Sequence, residues 1–277
     1  MQRSERLREI LNLLAEEGQL EVGDVVDRLG ISPATARRDL DSLAAQRLLT
    51  RTHGGATTNT LSFDLPGKYT RDAAAGRKRA IAAFAGSLVS PGMSIGLTGG
   101  TTCSAIATHL GLREDLADPS GQPGITVVTN SVNIATTLAV RSHVKVMATG
   151  GVLNPSSYEL VGSFAEQSLQ RVSLDLAFIG VGGIDAEGPT VHDEAEAAVN
   201  SLMAARAARA YVVADSSKIG RRAFVSLEGA RFGHVVTDAD LDEAQRALLE
   251  GAGYEVVVAE DAADDERPAA DAAQGGA

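Results

Sequence analysis

The sequence predicts an α/β protein in two parts: an N-terminal winged helix-turn-helix, then a larger domain built on a mainly parallel sheet. Three observations predict it. The run Ile31-Ser-Pro-Ala-Thr-Ala-Arg-Arg-Asp-Leu40 has the pattern of a short capped helix with a basic outer face. The run Arg51-Thr-His-Gly-Gly-Ala56 follows it closely, where a wing would stand. From Met93 onward, short apolar runs alternate with helical stretches, the pattern of parallel strands joined by helices.

In the first part, Leu7, Ile10, Leu11 and Leu14 form a helical stripe that ends at Gly18, a C′ candidate. Residues 20–22 suit a short strand. Residues 24–29 suit a second helix with Val25, Val26 and Leu29 inward, and Gly30-Ile31 makes the tight turn. Ser32 is placed to cap the third helix, because its hydroxyl accepts from an orphan amide of the first turn, and Pro33 fits position N1. Ala36, Leu40 and Leu43 then fall on one inward stripe, which turns Thr35, Arg37 and Arg38 outward. Adjacent arginines on such a helix suit phosphates and guanine edges in a major groove. Residues 47–52 read as a strand. Arg51, His53, Gly54 and Gly55 make the candidate wing, whose glycines let the backbone turn or approach a sugar-phosphate chain. The plainer alternative is a three-helix cap with solvated arginines. Acidic residues match basic ones in this segment, so DNA binding requires the positive charge to gather on one face.

At 277 residues the chain has room for a small DNA-binding unit and a domain large enough to bury its own core. A formal charge of −11 argues against non-specific coating of nucleic acid or anionic membrane. The single cysteine, Cys103, excludes an internal disulfide and a cysteine zinc cluster, and the five histidines show no metal spacing. No metal or cofactor is expected. With no long apolar run and no signal-peptide pattern, a soluble cytoplasmic protein is expected.

The expected domains are residues 1–57 for the winged helix-turn-helix, 58–75 for a linker, 76–259 for the α/β domain and 260–277 for a disordered acidic tail rich in Ala, Asp, Gly and Pro. Gly76-Arg77-Lys78-Arg79 opens a helix with Ile81, Phe84, Ala85 and Leu88 inward, so its charges read as a solvated first turn. The candidate strands are 94–97, 125–129, 144–148, 176–181, 210–214, 234–237 and 255–258. The stretches 103–110, 132–139, 194–209 and 240–252 read as helices.

In open α/β sheets, loops at the carboxyl ends of strands hold ligands. After Leu97 comes Thr98-Gly99-Gly100-Thr101-Thr102, then a helix. Glycines let amides turn inward, and Thr101, Thr102 and the helix N-terminus add donors, which together favour a phosphate. The same residues also serve ordinary strand-turn-helix junctions, and the Gly-Lys-Ser/Thr ending of a P-loop is missing. Further strand ends carry Asn130 and Ser131, Gly150 and Gly151, the run Gly180-Val-Gly-Gly183, and Asp215-Ser-Ser-Lys218. Lys218 offers a point charge to an anion or is a surface lysine. Asp193 caps the following helix or reaches the ligand, and Cys103 is either buried or activated by a helix N-terminus.

The chain resembles the DeoR family of bacterial transcription regulators. Residues 31–40 with His53-Gly-Gly-Ala56 are similar to its DNA-binding signature. Leu97-Thr-Gly-Gly-Thr-Thr102, Val128-Thr-Asn-Ser131, Thr149-Gly-Gly151, Leu160-Val-Gly162, Phe178-Ile-Gly180 and Asp215-Ser-Ser-Lys218 are similar to its sensor motifs, in the same order. The resemblance implies a sensor domain similar to ribose-phosphate isomerases, and a repressor of sugar catabolism that responds to a phosphorylated sugar. Members often carry an acidic residue where this chain has Thr98, a lysine where it has Asn200, and isoleucine where it has Ala36.

The expectation is therefore a DNA-binding transcriptional regulator, a repressor controlled by a phosphorylated sugar and not an enzyme. Its partners would be double-stranded operator DNA, that effector, and further copies of itself in a dimer or tetramer. The alternative is a phosphosugar isomerase with an appended DNA-binding domain. It would need a carboxylate as general base, for which Asp193 and Glu194 are the sequence candidates.

Overall fold

The computed structural model of the chain describes residues 3–17, 19–45, 49–52, 54–58, 73–228 and 232–260. Gly18, His53, residues 59–72 of the expected linker and the tail from 261 onward lie outside the described residues. The chain divides into two compact units, residues 1–75 with 155–158 and residues 76–154 with 159–277.

The smaller unit runs α1 (Arg3–Glu17), β1 (Gln19–Glu21), α2 (Val22–Leu29), α3 (Pro33–Ala45), β2 (Leu49–Arg51) and β3 (Gly55–Thr58). Its three strands form an antiparallel sheet in the order β1-β3-β2. Ile10 and Leu14 of α1, Val25 of α2, Ala36, Leu40 and Leu43 of α3, and Leu20, Leu49 and Ala56 of the strands close one core. A capping box opens α2: the Glu21 side chain accepts from the Asp24 amide, and Asp24 accepts from the Glu21 amide at 2.9 Å. Gly30 ends α2 at φ 62°, a left-handed cap that glycine adopts without a Cβ clash, and this sets the turn into α3.

The larger unit begins with α4 (Ala73–Ser87), β4 (Ser94–Leu97), α5 (Thr101–Leu112), β5 (Ile125–Thr129), α6 (Val132–Ala139) and β6 (Val144–Ala148). It continues with β7 (Val152–Leu153), β8 (Leu160–Val161), α7 (Ser163–Leu169), β9 (Leu174–Gly180), β10 (Gly183–Asp185), β11 (Gly188–Val191) and α8 (Glu194–Ala205). Last come β12 (Ala207–Val213), β13 (Val225–Ser226), β14 (His234–Asp238), α9 (Glu243–Gly251) and β15 (Glu255–Ala259). Seven strands form one parallel sheet in the order β15-β14-β12-β9-β4-β5-β6. All seven candidate strands of the sequence reading fall in it. The observed β9 and β12 begin earlier than expected, at Leu174 and Ala207.

Ala177 and Ile179 of β9 pack with Ala165 and Leu169 of α7 and with Val199 and Met203 of α8, while Leu176 and Phe178, one residue out of step, are buried on the other side. A sheet covered on both faces explains why its central strands are apolar without alternation. Two small additions were not expected: the β7–β8 hairpin and the antiparallel sheet β10-β11-β13. Their strands have two to four residues, and β11 contains Pro189, so they lack a readable period.

The strand order fixes where a ligand can sit. From β4 the chain builds outward through β5 to β6, then returns to the other side of β4 with β9. The order reverses between β4 and β9, so the loops after these two strands diverge and leave a crevice at their carboxyl ends.

Candidate functional site

In the smaller unit, α3 carries the candidate DNA-reading face. The Ser32 hydroxyl accepts from the Thr35 amide at 3.2 Å and lies 2.9 Å from the Thr35 hydroxyl, while the Ser32 carbonyl accepts from Ala36 N at 3.0 Å. Pro33 begins the helix. Arg37 and Arg38 are exposed, and Arg38 Nε donates to the Ala34 carbonyl at 3.2 Å. Asp39 is buried, and both Nε and Nη2 of Arg6 donate to its carboxylate, which raises the Arg6 pKa; Asp41 is paired with Arg51 at 2.8 Å. The two acidic residues of α3 are thus neutralised by partners within the unit, while Arg37 and Arg38 stay exposed.

Two wing residues take structural roles that the sequence reading did not anticipate. Arg51 is held by Asp41 and by the Gly55 carbonyl, to which its Nη1 donates, so its guanidinium fastens the wing to α3. Gly55 is buried opposite Glu21, and a Cβ there would stand 1.9 Å from the Leu20 carbonyl oxygen. Its lack of a side chain lets β1 and β3 meet, a packing reason for glycine that the sequence does not show. Gly54 is exposed at the turn, its carbonyl accepting from Val22 N at 2.9 Å.

In the larger unit, a pocket of about 210 Å³ lies at the crevice between β4 and β9. Gly99, Gly100, Thr101 and Thr102 form one wall and Gly180, Val181 and Gly182 another, with His192, Asp215 and Lys218 contributed by the loops after β11 and β12. Gly100 precedes α5 at φ 100°, and no side chain caps this twelve-residue helix. The N-cap glycine offers the first-turn amides no side-chain acceptor of its own, and the helix dipole adds partial positive charge to the same place, while the Gly99 amide just before them donates to Glu159. The two loops are tied together: Thr98 N donates to the Phe178 carbonyl at 3.3 Å, and Gly180 N donates to Thr98 Oγ1 at 2.9 Å. A Cβ on Gly180 would lie 2.7 Å from the Gly99 carbonyl oxygen, so glycine is required for the loops to touch.

The remaining wall is acidic and amide-rich. Glu159 and Glu196 are 5% and 8% exposed and both line the pocket. Asn130 Nδ2 donates to Glu159 Oε2 at 2.8 Å and to Asn200 Oδ1 at 3.1 Å, and Asn154 Nδ2 donates to Glu196 Oε1 at 2.9 Å. Burial, reinforced by repulsion from Glu196, pushes the Glu159 carboxyl up to about 7 against the pull of its amide donors.

The structure brings Gly99, Gly100, Thr101, Thr102 and Lys218 together around one pocket. It places the other candidates elsewhere. Asn130 stands behind the wall, bonded to Glu159 and Asn200. Ser131 caps α6 by accepting from Ile134 N. Gly150 and Gly151 turn the chain at φ 72° and 118°, and a Cβ on Gly151 would stand 2.5 Å from the Val161 carbonyl oxygen. Asp193 caps α8, accepting from Ala195 N at 2.9 Å and Glu196 N at 3.1 Å, so its carboxylate serves the helix. Glu194 is exposed and does not line the pocket.

Cys103 is fully buried between Thr98 and the Phe178 carbonyl. Burial pushes its thiol up to about 12, so the helix N-terminus does not activate it. Glu159, Glu196 and His192 were missed as pocket residues. Glu196 and Asn200 left a trace in the sequence, two polar residues four apart on the side of α8 that buries Ala197 and Met203.

Among the described residues no group of side chains could hold a metal ion, and no helix is long and apolar enough to cross a membrane.

Comparison with known proteins agrees with this division. The family model for a DeoR-like helix-turn-helix domain matches residues 6–61, and that for the DeoR C terminal sensor domain matches residues 73–239. The chain is 33% identical to the putative aga operon transcriptional repressor of Escherichia coli O157:H7, over 92% of this chain and 93% of that one. It is 36% identical to the HTH-type transcriptional regulator GlpR of Haloferax volcanii, over 92% and 97% of the two chains. With the HTH-type transcriptional repressor GlcR of Bacillus subtilis (strain 168), identity is 31% over 94% and 98%. Among solved structures, ribose 5-phosphate isomerase A of Methanocaldococcus jannaschii aligns with 51% of this chain and 52% of its own, at 19% identity and a TM-score of 0.34.

Proposed function

Because the chain belongs to the DeoR family of transcriptional regulators, we propose that it represses a sugar-catabolism operon and that a phosphorylated sugar controls its grip on the operator. The observation that carries the effector half is the pocket at the β4/β9 switch point. There the uncapped N-terminus of α5, the glycine loop 99–100 and Lys218 converge where a phosphate would sit. The DNA half rests on α3, whose exposed Arg37 and Arg38 face outward while Asp39 and Asp41 are paired. The names of relatives that speak of an aga operon and of transcriptional repression support the repressor assignment.

On operator DNA the protein acts as a dimer or tetramer, because a two-fold operator needs paired recognition helices about one helical turn apart. The Gly99–Thr102 loop holds the phosphate, Lys218 adds charge, and Asn200, Glu159 and Glu196 meet the sugar, with Asn130 supporting Glu159 from behind.

The test is operator binding by the full-length protein at fixed salt, with and without each of a panel of phosphosugars, beside an isomerase assay on the same compounds. A phosphosugar that binds without turnover and shifts operator affinity supports the reading. Rapid turnover of that compound, or no response to any of the panel, overturns it.

A further inference from the structure

Val152, Leu153 and Phe164 are 68%, 43% and 69% exposed. Single exposed hydrophobics are ordinary, but these three fall on the β7–β8 hairpin and the first turn of the helix that follows it. They also share one stretch of surface. A Cβ on Gly151 would lie 2.5 Å from the Val161 carbonyl oxygen and 3.2 Å from the Ala165 Cβ. The start of β7 thus stands against the start of α7, and Val152 and Phe164 flank that contact.

Charge and backbone both say what covers this surface. Between Lys145 and Glu166 the only charged side chain is Glu159, which is buried and lines the pocket. The patch is therefore neutral in a chain of formal charge −11. Two copies of such a chain repel over most of their surfaces and meet at least cost where ionised groups are missing. Partners recognised by charge, acidic or basic, find nothing here to pair with. The backbone adds an edge. Among the described residues β7 pairs only with β8, whose Leu160 amide donates to the Asn130 carbonyl in the body of the domain. β7 is the outer strand, and its two residues are neither charged nor proline, the usual guards of a free edge.

Resting on the repressor reading above, which calls for paired recognition helices, we propose that this face joins two copies of the chain about a two-fold axis. β7 of one copy runs antiparallel to β7 of the other, and Val152, Leu153 and Phe164 of both form the apolar centre. A two-fold contact is self-complementary, so a neutral apolar patch beside an unpaired edge meets its own like. Two strand residues supply few backbone bonds, so the side chains carry the contact. A stable dimer buries about 800 Å² per partner, more than three side chains offer, and the surrounding polar surface completes the rim.

The full-length protein tests this cleanly, because Cys103 is its only cysteine and is buried. Val152→Cys and Leu153→Cys each place a lone thiol beside the proposed axis, and Val140→Cys places one at the end of α6, where the side chain is 79% exposed. Under mild oxidation at least one of the hairpin variants should form a disulfide-linked dimer about tenfold faster or more than the Val140→Cys control. By sedimentation, Phe164→Glu should weaken assembly about thirtyfold or more, the effect of a charge at a central anchor, with thermal unfolding like that of the parent at equal oligomeric state. An oligomeric parent whose assembly survives in folded Phe164→Glu, with no preferential crosslinking at 152 or 153, overturns this face and leaves the repressor reading standing. A parent that stays monomeric, in solution and on operator DNA, overturns both. Thiols at 152 and 153 that resist labelling in a monomeric parent would assign the patch to cover by the same chain, and likewise overturn the proposal.

Discussion

The backbone amide of Gly180 donates to the Thr98 hydroxyl at 2.9 Å, fastening the loop after β9 to the loop after β4 across the mouth of the switch point. Thr98 is fully buried, and its hydroxyl also lies near Cys103 Sγ at 3.7 Å, so this contact holds Gly99 and Gly180, which line the pocket, from beneath. Thr98→Val keeps the volume but removes the acceptor and leaves a partly buried N–H without a partner. Thermal unfolding should register a loss of about 1–3 kcal/mol, and Thr98→Ser should recover much of it. A valine variant as stable as the parent would show that the bond contributes nothing.

Glu159 makes stability depend on pH in a definite direction. Its carboxyl titrates near 7 in the folded protein, against 4.5 for the ordinary group, because burial and Glu196 disfavour its charge. The folded state therefore holds a proton that the unfolded chain releases, and the group's contribution is complete below about pH 4.5. It is lost as pH rises through about 7, a change on the order of 3 kcal/mol across the window. Glu159→Gln mimics the neutral form, so its melting temperature should fall less between pH 6 and pH 8 than that of the parent. Parallel profiles for the two proteins would contradict the assignment.

Cys103 should be chemically silent. Its thiol is fully buried, contacts the Phe178 carbonyl at 3.6 Å, and is pushed up to about 12 by burial. Labelling of the native protein with iodoacetamide at pH 8 should proceed only at the rate of unfolding, and should become fast in denaturant. Prompt modification under native conditions would mean that the region around α5 opens freely.

On α3, Arg37 and Arg38 should divide the work of DNA binding. Arg38 Nε is anchored on the Ala34 carbonyl, which leaves its two terminal nitrogens to meet a base edge. Arg38→Ala should cost about 1–3 kcal/mol of operator affinity and relax preference at one operator position. Arg37→Ala should weaken all sequences alike and flatten the salt dependence, as loss of a phosphate contact does. Unchanged operator affinity in the folded double variant would remove α3 from the interface.

What the sequence revealed follows from how local each feature is. The β4 loop and the start of α5 were readable because strand, glycines, threonines and helix are contiguous in residues 94–112. The α3 helix was readable because cap, N1 proline and apolar stripe share one turn-by-turn period. Glu159 was not, since it reaches the pocket through the β7–β8 hairpin and a lone bridge to Ser131, a contact with no sequence period. The packing role of Gly55 was hidden for a related reason: a glycine that lets two strands meet looks the same in sequence as one that lets a ligand approach. Asp193 shows the converse, a polar residue at a strand end whose bonds all serve the next helix.

Control of DNA binding by the pocket is the last expectation, and Thr101 and Gly100 test it together. An effector can change operator affinity only by its own difference in affinity for the DNA-competent and incompetent states, typically about 1–3 kcal/mol. Thr101 is exposed in the first turn of α5, so Thr101→Val removes one donor from the phosphate position with little change in volume. Gly100 stands at φ 100° with open space where a Cβ would go. Gly100→Ala therefore strains the loop backbone without a clash and displaces the amides a phosphate would use. Both variants should bind operator as the parent does in the absence of effector, because α3 and its core in the smaller unit are untouched. Both should lose much of the response to phosphosugar. The measurement is operator affinity with and without the effector at one salt concentration. If both respond like the parent, the Gly99–Thr102 loop is only a turn, and the effector is sensed elsewhere in the chain.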